Sequence, residues 1–293
     1  MNKHLSFCIF LLLSATINAA TVNVSPGSGT LKTAVTNASA GDILVLTDGT
    51  YTEESSVRPT VALTIKAADN TKPELSLSSR FEVKANFTIE GIKITSAGEA
   101  ICMVPGDGVY DVTVRKCELS GCPSYFIRAY NTDQTAPYVN VLTIDDCIFR
   151  MEKIEGAEGL PRAVAATVTP KQLKSLLITN STFDGGVNGA GRMIYLHSGD
   201  EELALPLQGT LKVDHCTFYN SADTRGVYLA NIDGAYVSNC IFMNPAEMSG
   251  TVSYALYGAN SKIENSLCFN APIKLGTGAV QTNCPNRNPY FVD

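Results

Sequence analysis

Apolar and polar residues alternate along this chain in short runs that repeat one template. Six segments carry it: Val112 to Leu119, Leu142 to Phe149, Leu176 to Phe183, Leu211 to Phe218, Ala235 to Phe242 and Ser261 to Cys268. Each reads apolar-x-apolar, two polar residues, then small-x-large, and Phe87 to Ile94 fits the same pattern. Alternation with period two means strands with one buried face. The small position falls at Ile92, Cys117, Cys147, Ser181, Cys216, Cys240 and Ser266, at spacings of 25, 30, 34, 35, 24 and 26 residues. A repeat of that length is one coil of a solenoid.

No helical pattern intervenes between the strands, which argues against a βαβ sheet. A propeller or sandwich does not demand so strict a single register. Like strands of successive coils are therefore expected to stack in parallel and bury their inward residues in columns. The small column is the one above; the large one runs Ile94, Leu119, Phe149, Phe183, Phe218, Phe242, Cys268. The position before the small column holds Asn180, Asn239 and Asn265, with Asp146 and His215 as variants. Such residues tolerate left-handed backbone, so the chain bends sharply between strands without a hairpin.

The open end of a solenoid needs a cover. Thr30 to Ala38 predicts one, because Leu31, Ala34, Val35 and Ala38 share one helical face. Gly41-Asp42 ends that helix, Ile43 to Leu46 is the first expected strand, and Asp48 to Tyr51 turns into the next coil. The stretch from Gly29 to Glu53 resembles the opening of pectate-lyase-like right-handed β-helix proteins. It is most similar to that of chondroitinase-B and alginate-lyase polysaccharide lyases. The coils at His215 to Asn220 and Asn239 to Asn244 resemble β-helix proteins that accompany bacterial polysaccharide-degrading systems. The resemblance implies an all-β, right-handed parallel β-helix with three strands per coil and a short N-terminal capping helix. It implies too a substrate cleft on the third sheet, where the resembled lyases use a Lys and an Arg, some with a calcium held by carboxylates.

Residues 1–20 read as a secretory signal: Lys3 and His4, an apolar run from Leu5 to Leu13, then Ala19 and Ala20 at a cleavage point. Residues 21–293 are expected to form the β-helix domain. The apolar run is too short for a permanent span, and no later stretch is long enough, so no membrane segment remains after cleavage. A secreted, periplasmic or cell-surface protein is expected. The chain is 45% hydrophobic and 17% charged, with a formal net charge of -6. Those values argue against disorder and against a nucleic-acid partner. Eight cysteines follow the signal, four of them in one inward column, where side chains pointing the same way give poor disulfide geometry. They read as small hydrophobes rather than bridges. No CxxC pair and only two later histidines argue against zinc.

The chemistry is expected on the third strand of each coil. Aligned there are Arg162 to Thr167, Arg192 to His197 and Arg225 to Ala230. Val164, Ile194 and Val227 should point inward, so Ala165, Tyr195 and Tyr228 point out. Three arginines then start consecutive coils about 5 Å apart, and such a column calls for something between the like charges. Glu158, Asp184 and Asp223 are the candidate acids. Long excursions at 131–140, 152–160, 184–191 and 198–209 border the coils of Arg128, Arg162 and Arg192, as the walls of a groove would.

The expected partner is an acidic polysaccharide, whose uronate carboxylate a guanidinium grips bidentately. In a β-elimination, Arg192 and Arg225 would neutralise the carboxylate, with Tyr195, His197 or Tyr228 as base, His197 the easiest near neutral pH. Arg128, Arg162 and Tyr228 would bind substrate. His215, in a turn, reads as structural. The central strands offer no Lys and no outward acidic cluster, so calcium finds no support there, no cofactor is expected, and Lys274 reaches the sheet only near the last coil. The alternatives are a non-catalytic glycan-binding or structural β-helix, and a glycoside hydrolase, which would need paired carboxylates in one groove.

Overall fold

A computed structural model of the chain describes residues 19–129, 136–156, 160–166, 172–187, 189, 191–197, 205–206, 209–221, 226–230, 232–244, 254–256 and 259–289. Among them, strands assemble into three long parallel sheets. The first holds 11 strands from Thr21–Val24 to Val280–Thr282, and the second 10 strands from Gly27–Ser28 to Leu267–Phe269. The third holds eight, from Phe81–Val83 to Ile273–Leu275. Each coil visits the sheets in turn, and the result is a right-handed parallel β-helix with three strands per coil. Among the described residues no helix is long and apolar enough to cross a membrane.

Both predicted columns face inward and are buried. The rings of Phe149, Phe183, Phe218 and Phe242 lie almost parallel, with centroids 4.7, 4.8 and 5.0 Å apart. That is the strand spacing itself, so backbone pairing and ring stacking impose the same distance. In the small column Cys and Ser do one job. The Ser181 hydroxyl donates to the Thr179 carbonyl at 2.7 Å and accepts from the Cys147 N–H at 3.1 Å. Cys147 likewise donates its thiol to the Asp145 carbonyl two residues back, at 3.3 Å, and Cys240 to Ser238 at 3.0 Å. All eight described cysteines are free thiols, and seven are buried.

Immediately before the small column, Gly91, Lys116, Asp146, Asn180, His215, Asn239 and Asn265 all adopt positive φ, between 50° and 74°. The sharp turn between first and second sheets is therefore left-handed at one residue per coil. Asparagine suits it twice over: Asn180 donates to Asp145, and Asn239 to Asp214, each at 2.8 Å. Asn283 adds a further rung, with φ 51° and a 2.8 Å bond to Asn265. His215 sits here, exposed and beside Asp214, in the structural role expected of it.

The capping helix α1 spans Thr30–Asn37 and buries Leu31 and Val35. Its N-cap, Gly29, contributes no side chain. Instead the buried Glu53, one coil on, accepts the Leu31 and Lys32 N–H groups at 3.0 and 3.2 Å. A carboxylate at a helix N-terminus suits the helix dipole, although burial pushes its pKa up. Alternation alone predicts a first strand at Ile43 to Leu46, but pairing begins one coil earlier. Thr21–Val24 runs parallel to Asp42–Leu46, in register Thr21 with Ile43. That short strand, exposed at three of its four residues, has too little alternation to announce itself.

Two substitutions test the columns. Cys147→Ser should barely change stability, whereas Cys147→Leu should cost about 1–3 kcal/mol by overpacking. At the turn, Asn239→Gly should be tolerated and Asn239→Val should cost about 1–2 kcal/mol, because a β-branched side chain fits left-handed backbone poorly and makes no local hydrogen bond there. Chemical denaturation of the purified variants, with and without reductant, measures both; a loss on Cys147→Ser that reductant reproduces in the parent would instead indicate a bridge.

Candidate site on the third sheet

Register aligns one column across the third sheet. By Cα partners it runs Glu82, Cys102, Arg128, Ala165, Tyr195, Tyr228, Ala255, Lys274. Three residues before each of four of these positions lies a second column: Glu99, Tyr125, Arg162, Arg192. Tyr125 pairs directly with Arg162, and the Ala163 N–H donates to the Arg192 carbonyl at 3.1 Å. Val164, Ile194 and Val227 are buried, as period two requires.

The arginines of adjoining coils are kept apart by aromatic rings. The Tyr125 ring lies 4.6 Å from the Arg128 guanidinium carbon and 5.1 Å from that of Arg162. Arg162 also donates to the Tyr125 hydroxyl at 2.5 Å. The Tyr195 ring lies 5.8 Å from Arg162 and 4.0 Å from Arg192. Cation–π attraction thus replaces like-charge repulsion at each step. Acids were expected in this role. Asp184 proves to be elsewhere, on the second sheet, with a side-chain oxygen 3.7 Å from Arg150. Glu158 and Asp223 lie outside the described residues.

Toward the N-terminal coils the spacers are carboxylates. Glu99 receives Arg128 at 2.5 Å and Arg80 at 2.7 Å; Glu82 receives Arg58 at 2.6 Å and Arg80 at 3.1 Å. Both glutamates lie in coils N-terminal to the central strands, where the alignment that starts at Arg162 does not reach. Glu99 and Tyr125 sit at the same offset in shorter, earlier coils, and that offset was the signal that could have found them. The hydrogen bond from Arg58 outweighs the opposing effect of burial and, with Arg80, holds Glu82 below the usual carboxylate range. Cys102 lies buried beneath this ionic strip; burial first, then Glu99, pushes its thiol up to about 12, so it stays protonated.

Of the expected site residues, Arg128, Arg162, Arg192 and Tyr195 come together in this ladder. Arg128 does so as a partner of Glu99. Tyr195 is only 9% exposed, its ring packed against guanidinium groups. His197 closes the strand Ile194–His197 with its Cα beside Ala230. Tyr228 lies in the next strand, its Cα beside Tyr195. The side chains of both, all of Arg225 and Thr167, and about half of the expected loop walls, among them 131–135 and 198–204, lie outside the described residues. Lys274 stands beside Ala255 in the last strand of the sheet, as expected. Among the described residues no three His, Cys, Asp or Glu side chains gather as a metal requires. Glu82 and Glu99 are each engaged by two arginines, so the described donor set does not fit a resident calcium.

Comparison with solved structures finds the same architecture. The chain matches an alginate lyase of polysaccharide lyase family 6, AlyGC, with a TM-score of 0.53 at 16% identity, over 92% of this chain and 39% of that one. A second alginate lyase of that family, solved with a trisaccharide, aligns with a TM-score of 0.46 at 13% identity, over 87% of this chain and 60% of its own. The chain thus spans about two fifths of the length of the first of these proteins. No family model matches it, and no curated protein matches it in sequence. At such identities the likeness establishes the fold.

The depressed Glu82 carboxyl gives the strip a pH signature. A carboxylate whose pKa is lowered on folding contributes stability that is fully present above its unfolded value, about 4.3. That contribution is lost as pH falls through the lowered one. Glu82→Gln should therefore reduce stability near neutrality and flatten the decline below about pH 4, read as melting temperature against pH; parallel profiles for parent and variant would contradict the assignment.

Proposed function

We propose, starting from a lyase-type β-helix with an arginine–tyrosine ladder on its third sheet, that this protein is exported and acts on an acidic polysaccharide by β-elimination. The signal-like residues 1–20 support export. One observation carries the choice of ligand: Arg162 meets no carboxylate among the described residues, its only partners being the Tyr125 and Tyr195 side chains. Aromatic faces fix the guanidinium plane without cancelling its charge, which leaves it suited to a planar carboxylate. The chain as a whole is acidic, so the attraction is local rather than long-range.

The chemistry follows from what elimination needs. A uronate carboxylate held by Arg162 and Arg192, with Arg225 at the same sequence position one coil on, has its charge neutralised, and the proton on the adjoining carbon becomes acidic. His197 or Tyr195 would remove that proton. Electrons then form the ring double bond as the glycosidic bond breaks, and the leaving oxygen takes up a proton. Tyr228 and Arg128 would border the bound chain. A second reading, glycan binding without cleavage, is favoured by Ala165. It stands buried in the outward column between Arg128 and Tyr195, and offers no acid or base there.

Binding and ultraviolet absorbance, measured together on pectate, alginate, chondroitin and heparin, separate these readings. Arg162→Ala and Arg192→Ala should each weaken binding of the preferred acidic glycan by about 1.5–3 kcal/mol, with Lys rescuing only in part. New absorbance from unsaturated uronate ends, reduced in turnover more than in affinity by His197→Ala or Tyr195→Phe, marks the lyase. Binding without product marks the second reading. Unchanged binding in both arginine variants, or equal loss for neutral glycans, contradicts the site.

A further inference from the structure

The third sheet changes character at one residue. From Arg128 back toward the N-terminus, Arg58, Arg80 and Arg128 alternate with Glu82 and Glu99 in a continuous ion-paired strip. From Arg162 forward, guanidinium groups alternate with neutral tyrosine rings. Glu99 is the last acid of the strip. Its side chain is 12% exposed, against 25% for Arg128 and 30% for Arg80, and it holds one of them on each side. Arg128 touches both regimes, with Glu99 at 2.5 Å and the Tyr125 ring at 4.6 Å.

We propose that Glu99 is a specificity-determining residue that ends the anion-binding surface. The inference rests on the reading of the ladder as an acidic-glycan site. The mechanism is electrostatic. Glu99 neutralises Arg128, and its own charge repels a uronate that would extend the bound chain by one more coil, about 4.8 Å further along. An acidic oligosaccharide is held from Arg162 onward, and its affinity stops rising with length once the chain reaches Arg128. Glutamine at position 99 keeps one of the two oxygen acceptors that Arg128 and Arg80 use, and removes the charge. Arg128 then becomes one further anchor for a carboxylate. Glu82 provides the internal comparison, because it lies deeper in the strip, where Arg58 and Arg80 stand beyond the boundary.

The test is a titration of a size series of uronate oligosaccharides, prepared from the polymer the protein binds best, against the parent, Glu99→Gln, Glu82→Gln and Arg162→Ala. Melting temperatures establish that each variant is folded. Glu99→Gln should bind the longer oligosaccharides about fivefold more tightly, the scale of one exposed ion pair. Short ones should bind unchanged, and the salt dependence should steepen for the long ones alone. Glu82→Gln should leave the dependence on length as it is. A curve for Glu99→Gln that superposes on the parent's, or tighter binding at every length, overturns the end-stop while loss of binding in Arg162→Ala still upholds the site. A parent that binds no acidic oligosaccharide overturns both. Should Glu99→Gln fail to fold, Glu99→Met decides instead by the same size series: tighter binding confined to the long chains upholds the end-stop, and an unchanged length dependence overturns it.

Discussion

Stacking at one strand spacing is the constraint on which the rest of this molecule depends. In a parallel β-helix each position of the coil becomes a column, and each residue must tolerate its neighbours about 4.8 Å above and below. Inside, phenylalanine satisfies that demand by laying ring on ring at 4.7–5.0 Å. Cysteine and serine satisfy it by donating to the carbonyl two residues back. At the turn, a left-handed residue recurs coil after coil, and asparagine adds a side-chain bond to the coil before. Outside, the same rule turns against charge. Arginines cannot stack on arginines, so along the described part of the third sheet each is separated from the next by a ring or a carboxylate.

That outward solution creates the candidate site. Where the spacer is an acid, the charges cancel and the sheet presents a closed ionic strip. Where it is tyrosine on both sides, as at Arg162, the guanidinium group is held in plane and keeps its charge. On the proposed reading, the ligand that completes the ladder is an anion with a repeat that follows the coils, as a chain of uronates would be. The fold is shared with alginate lyases, but the chemistry proposed rests on the local residues and not on the fold.

Much of the architecture was legible from alternation alone. Val112 to Leu119 and its relatives state which residue faces inward, and every residue assigned to the two columns is buried. The turn was legible through Asn180, Asn239 and Asn265, because few other residues accept that backbone; Lys116 shows that the fold can impose it on one that does not announce it. The site was legible in part. Arg162, Arg192 and Tyr195 followed from equal register, but their spacers did not. Tyr125 and Glu99 belong to coils whose loops are shorter, and contacts between coils depend on side-chain reach that a linear pattern does not record. Asp184 misled for the same reason: close in sequence to the ladder, it belongs to another sheet.

The most direct measurement is a crystal structure of the protein soaked with an oligosaccharide of the acidic polymer it binds best. The account predicts a carboxylate against the Arg162 guanidinium, with the Tyr125 and Tyr195 rings still on either side and the sugar chain running across successive coils of the third sheet. A sugar seated on the first or second sheet, with Arg162 making no contact to it, would contradict the account.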